Sequence, residues 1–164
     1  MTFRETMLKF IQSARRGLHF AIILLFSAMF IVVLVNVIMR FVFNNPVASS
    51  GELARYLFVS ITYLGAIITF RENAHIGLDI IVENFPKKAK TVVYIFDRLL
   101  VAVFLIVFTY VSFKMAMLNI ETKSSAMFIS MAIPYMALPI SGAGMLIEMI
   151  IGLTGIDKPG QESI

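Results

Sequence analysis

Apolar residues fall into four blocks divided by short polar connectors. A run of about 20 apolar residues, wound as a helix, crosses a hydrocarbon core of about 30 Å. The pattern predicts an all-α membrane protein: four transmembrane helices with amphipathic interfacial segments, over about 18–43, 52–70, 91–119 and 134–153. These form one membrane domain, 18–153, between a segment at 1–17 and a short tail at 154–164.

Within the first block, Phe20 to Met39 is interrupted only by Ser27 and Asn36. It is too long for the apolar part of a secretory signal and lacks a small-residue cleavage site, so it reads as a retained helix. Ahead of it, Phe3, Met7, Phe10 and Ala14 recur at helical spacing with Leu8 and Ile11 beside them. Arg4, Lys9, Arg15 and Arg16 occupy other faces, as in an amphipathic helix lying in the cytoplasmic interface.

The uncharged connector 44–51 is rich in turn formers, and Ser49-x-x-Glu52 reads as a capping box opening the second helix. That helix can continue past the membrane to about Val82. Residues 71–90 mix charged and apolar positions and suit a partly helical surface segment interrupted by Pro86. The third helix exceeds one perpendicular crossing, so tilt or projection beyond the bilayer is expected. Pro134 fits the first turn of the last helix, and Pro139 is a kink site.

Composition narrows the class. Of the 164 residues 59% are hydrophobic and 15% charged, against about 25% charged in soluble domains. A disordered chain is excluded and a water-soluble globule untenable. With no cysteine, disulfide, thiolate and Cys-ligated metal chemistry are impossible. The net charge of +4 comes from basic residues at block ends, which points to orientation in a membrane and away from nucleic acid. Lys and Arg number four in 1–17, none in 44–51, four in 71–90, two in 114–132 and one in the tail. The positive-inside rule then expects both termini in the cytoplasm of a multi-pass inner-membrane protein.

Candidate chemistry is sparse. A bis-histidine haem needs axial ligands on facing helices, and neither His19, which opens the first helix, nor His75 in the connector lies inside a membrane block at useful depth. Glu72-x-x-His75 matches half of a di-iron helix motif, which requires two copies and further carboxylates. Arg71, His75 and Asp79 read more simply as one solvated helix face. No catalytic residue, cofactor or metal is expected. Ionisable groups inside membrane segments are the default functional candidates. Arg40, Glu52 and Arg55 stand at similar depth near the outer surface and are candidates for an ion pair that fixes the first hairpin. Glu148, well inside the last helix, is expected to snorkel or meet another helix. Gly65 and Ala66 on the second helix, and Ala137, Ser141 and Gly142 on the last, mark candidate packing faces.

Several short motifs occur in a telling order. Asn36-Val-Ile-Met-Arg40 is followed by Asn44-Asn-Pro46, then Gly51-Glu52-Leu-Ala-Arg55-Tyr56. Next come Tyr63-Leu-Gly65-Ala66 and Arg71-Glu-Asn-Ala-His75-Ile-Gly-Leu-Asp79. Together with Lys123-Ser-Ser, Ile133-Pro134 and Leu138-Pro139, this order resembles the small membrane subunit of tripartite ATP-independent periplasmic (TRAP) transporters over about residues 15–150. The resemblance departs at Ser49-Ser50-Gly51, where family members often carry Trp.

The resemblance implies a sodium-driven uptake system for organic acids, among them sialic acid and C4-dicarboxylates. Its partners would be a periplasmic substrate-binding protein, a large TRAP membrane subunit that carries the substrate by an elevator motion, and membrane lipids. The small subunit would be a scaffold or stator for the large one. Two rival classes leave different marks. A stand-alone four-helix exporter of the multidrug type wants a glutamate midway along the first helix, which has none. A membrane anchor of a redox enzyme would bind haem.

Overall fold

A computed structural model describes residues 3–73 and 86–154. Among the described residues there are five helices: α1 (Phe3–Phe41), α2 (Ser50–Asn73), α3 (Lys87–Leu118), the short α4 (Ala132–Tyr135) and α5 (Ala137–Thr154). Four spans, the last made of α4 and α5 together, are long and apolar enough to cross a membrane. The expected surface segment around His75 and Asp79, the continuation to Val82 and nearly all of the tail lie outside the described residues.

The segment at 1–17 and the first membrane helix, expected as separate elements, are joined. α1 is one helix of 39 residues, about 58 Å long at about 1.5 Å per residue. Burial explains the continuity. The shielded positions run from Ile11 through Arg15, Leu18, Ile22 and Leu25 to Asn36 and Met39 in alternating steps of four and three. That spacing is the seam of a helix packed along a neighbour, and it crosses position 17 without interruption. Phe20, Ile23, Phe26 and Phe30 stand exposed on the other side, as suits a surface solvated by lipid.

α1 ends in a turn with Asn44 at φ 51°. Asn36, a polar interruption of the apolar block, accepts a hydrogen bond from the Val47 N–H at 3.1 Å. The Val47 carbonyl accepts from the Ser50 hydroxyl at 2.6 Å. The hairpin is thus tied by its own connector, and α2 begins at Ser50.

The helices form a layer in the order α1, α2, α5, α3. α2 and α5 are inner, and α1 and α3 are edges. Exposure follows this order: α3 buries one narrow stripe through Leu105, Ser112 and Ala116, whereas α2 leaves only a narrow stripe uncovered. Small residues set the approach of α5 to both neighbours. A Cβ at Gly142 would strike the Thr109 hydroxyl and the Phe108 ring of α3. A Cβ at Gly144 would come within 2.6 Å of Ile67 Cδ1 on α2. Ala137 and Ser141 are buried on the same helix. Tyr63 and Phe108, on α2 and α3, stack with ring centroids 6.2 Å apart.

The last span is interrupted at a single residue upstream of Pro139, where Met136 still holds helical dihedrals (φ −64°, ψ −21°) and its carbonyl accepts from the Ile140 N–H at 3.2 Å. α4 ends at Tyr135 and α5 starts at Ala137, with Met136 between them. Proline has no N–H, and its ring crowds the carbonyl four residues back. For Pro139 that carbonyl belongs to Tyr135, so the discontinuity falls just upstream of the proline.

These contacts separate the glycines. Gly142→Ala should cost roughly 1–3 kcal/mol, the usual penalty of overpacking, because a short Thr side chain cannot swing away. Gly144→Ala should cost less, since the Ile67 terminus can rotate. Gly65→Ala should be neutral or stabilising, because a Cβ there meets nothing within 4 Å. Unfolding in mixed micelles of graded SDS content would rank the three. Equal losses at 65 and 142 would refute this packing.

Candidate functional site: two polar clasps

The polar side chains of the spans gather at two ends of the layer. At one end Arg15 of α1 meets Glu148 of α5. Arg15 Nε donates to Oε1 at 2.8 Å and Nη2 to Oε2 at 2.6 Å, a two-pronged geometry that favours arginine over lysine. Side-chain exposure is 13% for Arg15 and 10% for Glu148. The pair reaches from an edge helix to an inner helix that is not its neighbour in the layer, so it spans α2. It also sets the N-terminal part of α1 level with the C-terminal half of α5.

At the other end Glu52, in the first turn of α2, binds the connector between α3 and α4. Its Oε1 accepts from the Tyr56 hydroxyl at 2.7 Å. Its Oε2 accepts from the N–H groups of Ala126 at 2.9 Å and Met127 at 3.1 Å. The start of a helix also favours negative charge. The connector is folded on itself: Ser124 N–H donates to the Ile129 carbonyl at 2.8 Å, and Met131 N–H to the Thr122 carbonyl at 2.8 Å. Phe128, at its tip, has φ 56°. That left-handed conformation is uncommon for a bulky side chain, so the neighbouring amides held by Glu52 contribute to keeping it.

The candidate residues divide accordingly. Glu52 is at the centre of a cluster, but its partners are a hydroxyl and two backbone amides. The expected pair with Arg40 does not form: three donors already occupy the carboxylate, and the Arg40 guanidinium lies 5.7 Å from the Phe41 ring centroid. Arg55 is exposed. The Ser49-x-x-Glu52 capping box is likewise replaced, since the Glu52 side chain turns to the connector and Ser50 bonds back to Val47. Of the packing candidates, Gly142 meets α3, Ala137 and Ser141 are buried on the same helix, Ala66 is half-buried, and Gly65 faces open space. Glu148 meets another helix. Its partner Arg15, expected on the polar side of an interfacial helix, stands four residues after Ile11 and three before Leu18, the signal that places it in the seam. Among the described residues no group of three His, Cys, Asp or Glu could hold a metal.

The same pattern of residues recurs in known proteins. Residues 29–154 match the DctQ component of the tripartite ATP-independent periplasmic transporters. Two Haemophilus influenzae proteins described as TRAP transporter small permeases are each 28% identical to this chain. One aligns over 139 residues, 83% of either chain; the other covers 77% of this chain and 76% of its own. The sialic acid TRAP transporter permease protein SiaT, also from Haemophilus influenzae, is 32% identical over 95 residues. That is 58% of this chain and 15% of SiaT.

The clasps make separable predictions. Arg15→Ala or Glu148→Ala strands a half-buried charge and should lower stability by about 3–5 kcal/mol, while the exchange Arg15→Glu with Glu148→Arg should recover part of the loss. A double-mutant cycle in SDS titrations measures this, and additive single effects would deny the pairing. Glu52→Ala should cost roughly 1–3 kcal/mol for the released amides. It should also open the connector, read as faster proteolytic cleavage between Ser124 and Phe128. Unchanged cleavage would mean that Glu52 does not hold the loop.

Proposed function

The chain belongs to the DctQ component family of TRAP transporters, and from this we propose that it is the small membrane subunit of a sodium-driven uptake system for organic acids. In this reading it is the stator: it packs beside a large membrane subunit that carries the substrate, and a periplasmic binding protein delivers the substrate to the complex. Sialic acid is the favoured substrate class, supported by the likeness to SiaT, a sialic acid TRAP transporter permease. The fact that this chain corresponds to 15% of SiaT supports a long partner held beside a segment of this kind.

The observation that carries the reading is the fate of the carboxylates. A carrier that couples ions to a solute needs an acid free to bind and release them near mid-membrane. Glu148 is neutralised by Arg15 and Glu52 is saturated by three donors. Asp97 lies in the first third of α3, before the apolar run that opens at Leu99. Glu148 and Glu52 act as braces between parts of the fold. An inner-membrane location with both termini in the cytoplasm is supported by the Lys and Arg distribution and by the Arg15–Glu148 contact, which brings the outer ends of α1 and α5 to one side.

Reconstitution decides the matter. Proteoliposomes with this chain alone should show no sodium-dependent uptake of labelled sialic acid or C4-dicarboxylate, and adding the large subunit with the binding protein should establish it. Uptake by this chain alone would defeat the stator role.

A further inference from the structure

The uncovered surface of α2 differs from that of the other spanning helices. On α1, α3 and α5 the exposed positions are dominated by large apolar residues, such as Phe26 and Phe30, Phe104 and Val107, Ile140 and Ile147. On α2, past the exposed Gly51 of its first turn, they are Arg55, Phe58, Thr62 and Thr69, with half-buried Gly65 among them. The steps are three, four, three and four, so these five residues form one seam along the helix. No aliphatic side chain stands on it.

Gly65 is the second observation. In the middle of a helix glycine costs roughly 0.5–1 kcal/mol against alanine, and the close contacts of Gly142 and Gly144 give their presence a reason. Gly65 has none within this chain, since an added Cβ would meet nothing within 4 Å. In hydrocarbon, helices associate through close approach at small residues and through interhelical polar contacts, and acyl chains use neither. Arg55, exposed at the outer end of the seam, complements a carboxylate or the free carbonyls that end a helix. Because α2 is an inner helix, whatever covers the seam lies across the face of the layer and not at its edge.

We propose that the seam Arg55–Phe58–Thr62–Gly65–Thr69 receives a transmembrane helix of the large membrane subunit, and that the outer surfaces of α1 and α3 face lipid. This rests on the stator reading above.

The test places the photoreactive residue p-benzoylphenylalanine at Phe58 or Thr62, and at Phe30 or Val107 for comparison, in the complete transporter in native membranes. Illumination should yield adducts with the combined mass of this chain and the large subunit from positions 58 and 62, and lipid adducts only from 30 and 107. Large-subunit adducts from 30 or 107 but not from 58 or 62 would overturn the proposal. So would adducts of twice this chain's mass from the seam, which denote a second copy. Lipid adducts alone from the seam, with the large subunit still co-purifying, would overturn it too. If no large subunit co-purifies with the unaltered chain, the stator reading itself fails, and the two failures are thereby distinguished. As a second measurement, Gly65→Leu should leave the SDS unfolding of this chain unchanged. It should reduce the co-purified large subunit about tenfold, the effect of losing roughly 1–2 kcal/mol of helix packing.

Discussion

A helix surrounded by hydrocarbon gains nothing by exchanging lipid for another apolar helix, so the hydrophobic effect that closes a soluble core is missing here. Cohesion must come from close backbone approach and from polar contacts that lipid cannot replace. The layer follows this constraint. Gly142 and Gly144 bring α5 against α3 and α2, and Arg15, Asn36 and Glu52 supply polar ties. The large exposed Phe, Ile, Leu and Val side chains are in their proper solvent.

An open layer is more exposed to shear than a closed bundle, because each edge helix packs along one neighbour only. The two clasps act where this weakness is greatest. Arg15 carries the edge helix α1 past α2 to α5, and Glu52 carries the inner helix α2 to the connector that leads from the other edge helix, α3. The first tie joins helices that are not adjacent in the layer, and the second joins α2 to the connector between α3 and the last span.

The four spans were legible in the sequence because length and apolarity alone specify them. The seam within α1 was not: between Phe20 and Met39 nearly every position is apolar, so the face that packs and the face that meets lipid look alike. Periodicity becomes visible only where polarity returns, at Arg15 and Asn36, and both lie in phase with the seam. The role of Glu52 was legible as to importance but not as to partner. Side-chain charges could be paired by depth along the sequence, whereas the amides of Ala126 and Met127 carry no signature in residue type. The interruption before Pro139 was foreseeable in kind, since proline forbids the bond to Tyr135.

Depth decides what the clasps can be. Arg15 and Asn36 are the polar members of one seam and stand 21 positions apart, about 31 Å along a helix. That is close to the roughly 30 Å of a hydrocarbon core, the separation of two residues at its opposite boundaries, and from Gly17 to Val35 the chain carries no Asp, Glu, Lys or Arg. Placed there, the Arg15–Glu148 pair gains attraction from a reduced dielectric without the full desolvation cost of burial at the midplane. The same placement keeps it from serving as an ion relay, which must exchange with both sides in turn. A charge pair at the boundary fixes where a helix sits in the bilayer, and fixing the height of α1 fixes that of every helix braced to it.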